Sequence, residues 1–339
     1  MRGRLLPLLL VVPALAACGG GSSTPGAAGS GVVGTSSPTS APTGAGTATV
    51  SPQAFVPHVA RVSAAHWTLP TASGRQAVVP VGNGTVVLAG GLVAGDQSTD
   101  EALRIELATG RITRLQSLAV PVHDVAGGLV GGVPAVVGGG NATEQDVVQV
   151  LTDSAWHVTG HLPTTRSDLS VVQRGTQAFV IGGYDGASVP TTILSLAADG
   201  STTPAGHLVR GVRYAATARI GNTAYVFGGE VLGAELDGVQ AVDLGTGRTR
   251  VVARLPVPLG HAMAAAVGSR ILLVGGRVSP DQQTAAMWWF DPATGRFTRA
   301  GALPRPLSDA AVAVSGHRVW LLGGEDPSVT SGVLTISVR

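Results

Sequence analysis

Six times in this 339-residue chain a short apolar run ends in a glycine pair: VVLAGG, AVVGG, AFVIGG, AYVFGG, ILLVGG and VWLLGG. The first glycines are Gly90, Gly138, Gly182, Gly228, Gly275 and Gly323, so the intervals are 48, 44, 46, 47 and 48 residues. A period that steady means stacked copies of one supersecondary unit, none of which can bury its apolar face alone.

The unit itself reads as four short strands. Ahead of each glycine pair lies a small apolar strand and a tight turn, as in 77–81 followed by Gly82-Asn83-Gly84, or 215–219 followed by Gly221-Asn222. Gly or Asn at such tips supplies the positive φ that a two-residue hairpin requires. After each pair come a longer loop, a third strand, and a second turn of the form Ala-Thr-Gly-Arg or Gly-Thr-Gly-Arg at 108–111, 245–248 and 293–296. A fourth strand then ends near Leu-Pro at 162–163, 255–256 and 303–304. Four antiparallel strands in about 47 residues make a propeller blade.

Six blades at this period fill residues 55–339, and the expected fold is all-β, a six-bladed β-propeller. The chain stops after a third strand at 333–338, while Ala-Ala-His-Trp-Thr-Leu-Pro at 64–70 has a fourth-strand pattern and precedes the first repeat. The last blade is therefore expected to be closed by an N-terminal strand, which leaves no free sheet edge.

Hydrophobic strand, glycine pair, variable loop and a strand ending such as Trp289-Phe290-Asp291-Pro292-Ala293-Thr294-Gly295-Arg296-Phe297 together resemble the kelch repeat. The resemblance covers roughly residues 60–339 and places the chain beside the galactose oxidase central-domain-like superfamily. The fourth-strand tryptophan of that family stands only at Trp67 and Trp156; Ile112, Thr202, Thr249 and Phe297 replace it. Galactose oxidase itself uses copper with a Tyr–Cys crosslink, a chemistry that needs a cysteine in the propeller, and this chain's only cysteine is Cys18.

The N-terminus has a different character. Arg2 and Arg4 precede an apolar stretch too short to span a bilayer, ending in Leu15-Ala16-Ala17-Cys18, which resembles a bacterial lipobox. That resemblance implies a signal peptide at 1–17, cleavage before Cys18 and lipidation, palmitate included, at Cys18. Two acyl chains on one residue give stable anchoring. Residues 19–53 are Gly, Ser, Thr, Pro and Ala apart from Val32, Val33, Val50 and Gln53, carry no charge, and read as a flexible tether within 18–54. Its r.m.s. reach is roughly 30–35 Å. The expected location is extracytoplasmic, anchored to the bacterial cell membrane.

Without Arg2 and Arg4 the remaining 20 arginines balance 20 acidic residues, so no basic face for nucleic acid is expected. The chain has no lysine, which excludes a P-loop, a Schiff base and a Ser-x-x-Lys acylase. No His-Glu-x-x-His or Gly-x-Ser-x-Gly occurs. A monomer without cofactor is expected.

Long loops follow the glycine pairs and gather on one face, where function on a rigid scaffold usually sits. Fourteen residues before each first glycine stand Gln76, Asp124, Asp168, Tyr214, His261 and Asp309, at the entrance to each innermost strand. Arg75, His123, Ser167, Arg213 and Ser308 flank them, and Glu230, Arg277 and Glu325 come just past glycine pairs. The expected site is a channel mouth ringed by these side chains. Arg75, Arg213 and Arg277 suit a carboxylate, and the acids suit hydroxyls or amines. Three Asp and His261 form no compact metal motif, so no metal site is expected.

Two functions follow, beside a third reading in which the ring only satisfies backbone and neighbouring polar groups and the chain is a structural or stress-related surface protein without a small ligand. The first is a non-enzymatic module binding a protein partner or a cell-envelope glycan. The second is a sugar-directed enzyme resembling the six-bladed kelch sialic-acid mutarotases, with Glu230, Glu325, Asp168 or His261 as acid and base. A binding module predicts an apolar loop face near Leu92, Val93, Val189, Val231, Leu232 and Trp288. An enzyme predicts a carboxylate of strongly raised pKa in a pocket.

Overall fold

The computed structural model describes residues 55–339; the leader, Cys18 and the tether up to residue 54 lie outside the described residues. The described chain is all-β and forms six four-stranded antiparallel sheets, one per repeat. In the first blade the strands run outward as Ala77–Gly82, Thr85–Ala89, Ala102–Glu106 and Arg111–Arg114. The next four blades repeat that order.

The sixth blade contains Ala311–Ser315, Arg318–Leu322 and Val333–Val338, closed on the outside by Ala60–Ala64. Ala60 pairs with Val338 and Ala64 with Leu334. The N-terminal closure is as expected, but the strand lies upstream of 64–70. Trp67, which suggested that segment, instead packs over Gly110 and stacks on Trp320 with ring centroids 6.0 Å apart. The segment entering the closing strand runs along the tight-turn face: Phe55 stacks on His317, and the Ser269 amide donates to the Phe55 carbonyl at 3.0 Å.

The glycine pair proves to be a staple between blades. The amide of each second glycine donates to a carbonyl just ahead of the next blade: Gly91 to Val122 (2.7 Å), Gly183 to Val212 (2.8 Å), and so around to Gly324 and Ser73 (2.9 Å). The same carbonyl sits where the first glycine would carry a Cβ, 2.6 Å away at Gly90, whose φ of +66° also favours glycine. No side chain fits there, which explains the strict repeat.

Six buried clusters fill the six gaps between blades. One joins Leu272 and Trp289 of the fifth blade to Val319, Leu321 and Ile336 of the sixth, and another joins Leu88 and Ile105 of the first to Trp320 and Leu322 of the sixth. Closure is thus an apolar packing event, worth roughly 1.5–3 kcal/mol for each large side chain buried. Four of the loops after the glycine pairs carry a small hairpin, for example Glu230–Val231 against Ala234–Glu235.

Candidate functional site

Six residues at the entrances to the innermost strands share one uncommon conformation. Arg75, Asp124, Asp168, Tyr214, His261 and Asp309 all have φ between +50° and +58°. Their backbones are linked in sequence around the axis: Asp168 N to Asp124 O (2.8 Å), Tyr214 N to Asp168 O (3.1 Å), His261 N to Tyr214 O (2.9 Å), Asp309 N to His261 O (3.0 Å) and Arg75 N to Asp309 O (2.8 Å).

Five of these are the residues expected from spacing. In the first blade the ring position belongs to Arg75 and not to Gln76, because a bulge between Pro80 and Gly82 adds one residue to that hairpin and displaces the count. Gln76 still lines the mouth, buried, with its amide on the Ser73 hydroxyl.

A second tier surrounds the ring. The residue just past each glycine pair forms a β-bridge with the residue before the ring position, as in Arg213 with Glu230, Gly260 with Arg277 and Ser308 with Glu325. Tyr184 holds the same place opposite Ser167, and spacing past the glycine pair would have singled it out. Its ring lies 4.8 Å from the Arg213 guanidinium, whose other side faces the Tyr214 ring at 4.6 Å.

The side chains knit across the opening. Glu325 receives Arg75 Nε at 2.6 Å and Arg277 Nη2 at 2.6 Å. Arg75 Nη1 also reaches Asp124 Oδ2 (3.2 Å) and the Tyr214 hydroxyl of the opposite blade (3.4 Å), which itself donates to Asp124 Oδ2 (3.2 Å). His261 Nδ1 is 2.7 Å from Asp309 Oδ1, its Nε2 is 3.5 Å from Glu230, and its ring stacks on Tyr214 with centroids 3.7 Å apart. Arg277 completes this side at 3.3 Å from Asp309 Oδ2. His123 bonds the Ser98 hydroxyl at 2.8 Å and lies 3.5 Å from Asp124.

These contacts fix most protonation states. Burial works against the charge on Arg75, but Asp124, Asp309 and Glu325 outweigh it and raise its pKa. Burial would likewise discharge His261, yet Asp309 and Glu230 push it up to about 9, so it is an imidazolium at neutral pH. Although its side chain is largely buried, Asp309 is held below the usual range by His261, Arg75 and Arg277. The His261 contact does the same for Glu230. Burial, then Asp124 and Asp168, raise the Tyr214 phenol.

Asp168 differs from all of these. Its burial and the neighbouring Asp124 push its carboxyl up to about 7, against the pull of Arg213, Ser167 and the Tyr214 hydroxyl. Arg213 Nε lies 2.8 Å from Oδ2 but off its N–H direction, and Oδ1 accepts no hydrogen bond from any described residue. The side chain is 1% exposed.

Together the ring residues line a cavity of about 120 Å³ at the mouth. Beneath it the channel opens to about 490 Å³ between Val, Ala and Gly walls such as Val78, Gly127, Gly128, Val171, Ala264 and Ala311. Among the described residues, no group of three or more His, Cys, Asp or Glu is placed to hold a metal ion.

Arg75 and Arg277 both donate to Glu325. One expectation needs correction. The apolar loop face is not formed: Leu92 is buried, Val93, Val189, Val231 and Trp288 are half-buried, and Leu232 alone is fully exposed. His66, His157, His161 and His207 are exposed, away from the mouth cavity.

The sequence matches no family model and no curated protein. A solved structure described as "Structure of YjhT" superposes with a TM-score of 0.70 at 15% identity, covering 80% of this chain and 99% of that one. The likeness shows the six-bladed propeller fold.

Proposed function

We propose that this chain is a kelch-type propeller, lipid-anchored through Cys18 outside the cytoplasm, that binds a polar ligand of the cell-envelope glycan class at its channel mouth. The observation that supports this most is the ring: six left-handed residues from six blades aim charged and aromatic side chains at one cavity. A glycan suits it because the mouth offers polar donors and acceptors, while of the loop residues Leu92, Val93, Val189, Val231, Leu232 and Trp288 only Leu232 is fully exposed.

A second reading, acid/base chemistry on that ligand, is favoured by Asp168. A carboxyl pushed up to about 7 and, on the other side of Tyr214 in the ring, an imidazolium pushed up to about 9 both titrate in the range general acid/base chemistry uses. Glu325, gripped by two guanidiniums, and Glu230, held ionised, are less suited to that role.

Both parts are testable with the full chain. A Cys18→Ser variant expressed in a bacterium is expected to leave the membrane fraction, and retention there would remove the anchor from the proposal. For the mouth, calorimetric titration with soluble cell-wall fragments and monosaccharides is expected to give binding that Arg213→Ala and Tyr214→Ala weaken. Binding unaffected by both would move the site elsewhere.

A further inference from the structure

At the mouth five carboxylates, on Asp124, Asp168, Glu230, Asp309 and Glu325, meet three guanidiniums and two imidazoles, on Arg75, Arg213, Arg277, His123 and His261. Asp309 and Glu325 each meet two of the cations, Asp124 meets Arg75 at 3.2 Å, Glu230 meets His261 at 3.5 Å, and Asp168 meets Arg213 at 2.8 Å. What sets Asp168 apart is its geometry: Arg213 Nε is misaligned, and Oδ1 is a buried carboxylate oxygen with no donor. Its neighbours are Asp124 on one side, Arg213 and Tyr214 on the other, and its own Ser167; none of them donates to Oδ1.

A buried acceptor without a donor is costly, and when it belongs to a carboxylate the best complement is a donor that is also a cation. Water supplies the first property and not the second. A divalent metal supplies charge but needs a cluster of oxygen ligands, which the described residues do not form here. The mouth cavity, about 120 Å³, has room for one ammonium and its carbon. The remainder of a ligand would rest outside against the Tyr184 and Tyr214 rings that lie about the Arg213 guanidinium.

We propose that the mouth recognises a primary ammonium group, inserted against Asp168 and Asp124 with the body of the ligand on the Tyr184–Arg213–Tyr214 face. This inference rests on the reading of the mouth as a ligand site and specifies its ligand chemistry. The ammonium could come from an amino sugar or from a peptide N-terminus. Because the ammonium pairs with ionised Asp168, affinity rises with pH until that carboxylate is fully ionised, while the ligand amine stays protonated.

The test is calorimetric titration of the full chain at pH 7 with four probes: D-glucosamine, N-acetyl-D-glucosamine, glycylglycinamide and its N-acetyl derivative. The expected result is that at least one free amine binds at least about ten-fold more tightly than its acetylated counterpart, the loss expected for one charge-assisted hydrogen bond. Whichever amine does so identifies the source. Asp168→Asn is expected to erase the difference, with urea unfolding confirming that the variant is folded. If the acetylated probes bind as well as the amines, the ammonium inference is overturned while the mouth remains a glycan site. If no probe binds at millimolar concentration, the inference falls and so does the reading beneath it.

Discussion

Asp168→Asn separates a ligand-facing carboxylate from a structural one, because it is expected to stabilise the protein, and to do so only above acid pH. The carboxyl of Asp168 sits at about 7 in the folded chain against an ordinary value of 3.8. A folded acid with a raised pKa binds its proton more tightly than the unfolded chain does, so this group lowers stability as pH climbs from about 4 to about 7 and then has no further effect. At about 1.4 kcal/mol per unit the full shift corresponds to about 4 kcal/mol, and relaxation around a buried charge reduces that to about 2–4 kcal/mol. Asn has the same shape and no charge, so its variant escapes the penalty. Urea unfolding of wild type and variant between pH 4.5 and 8.5 reads the difference directly. Any fixed cost of placing an amide beside Arg213 shifts the whole curve, whereas the titration gives it slope. The variant's advantage is expected to grow by about 2–4 kcal/mol across this range and level off near pH 7.5, roughly 4–8 °C in Tm at the plateau. A difference that stays flat with pH, or falls, refutes the assignment of Asp168 as the buried acid of raised pKa.

His261→Gln tests the opposite sign. The folded imidazolium is held up to about 9, so its contribution is fully present below about 6.5 and is lost as pH rises through 9. The variant is expected to be less stable by about 2–3 kcal/mol at pH 6 and nearly equal to wild type at pH 9.5, measured by urea unfolding; a deficit that persists at pH 9.5 would assign the loss to packing against Tyr214 instead. Gly90→Ala tests the staple: a Cβ 2.6 Å from the Val122 carbonyl, at φ +66°, is expected to cost about 3 kcal/mol or more in the same assay, and a loss below about 1 kcal/mol would show that the first two blades can slide apart without penalty.

The sequence carries the blade count and blade order because both rest on period and strand length, which local residues encode. Its failures share a cause: counting along the chain assumes that every hairpin has the same number of residues. One bulge near Val81 breaks that assumption, and the ring position passes from Gln76 to Arg75. The closing strand was placed four residues too late for a related reason, since Trp67 mimics a fourth-strand tryptophan while packing on Gly110 and Trp320. Tyr184 was legible, because it follows a glycine pair as Glu230 does. The pairing of each acid was not. Which carboxylate of five goes short of a donor depends on side chains meeting across the channel, such as Arg75 and Tyr214 of opposite blades, and no spacing rule reports that.

Backbone strain gives an independent argument that the mouth is more than a seal. The chain contains 49 glycines and places them at positive φ throughout its tight turns and glycine pairs. At the six ring positions, where the same conformation is required, it has Arg, Asp, Asp, Tyr, His and Asp. Non-glycine residues held there cost on the order of 1 kcal/mol each, least for Asp and His and most for Arg and Tyr. Arg75 and Tyr214, the two most strained by that measure, meet across the channel and hold Asp124 between them, so their cost is offset by a closed network. His261 and Asp309 offset theirs with a 2.7 Å ion pair. Asp168 has no such return: it is strained, buried, poorly paired, and short of a donor at Oδ1. Glycine would relieve all four penalties at once. On the proposed reading a carboxylate kept against that gradient is accounted for by the ammonium it would meet in the mouth, and the pH-dependent gain in stability on replacing it is the measure of what the fold gives up to keep it.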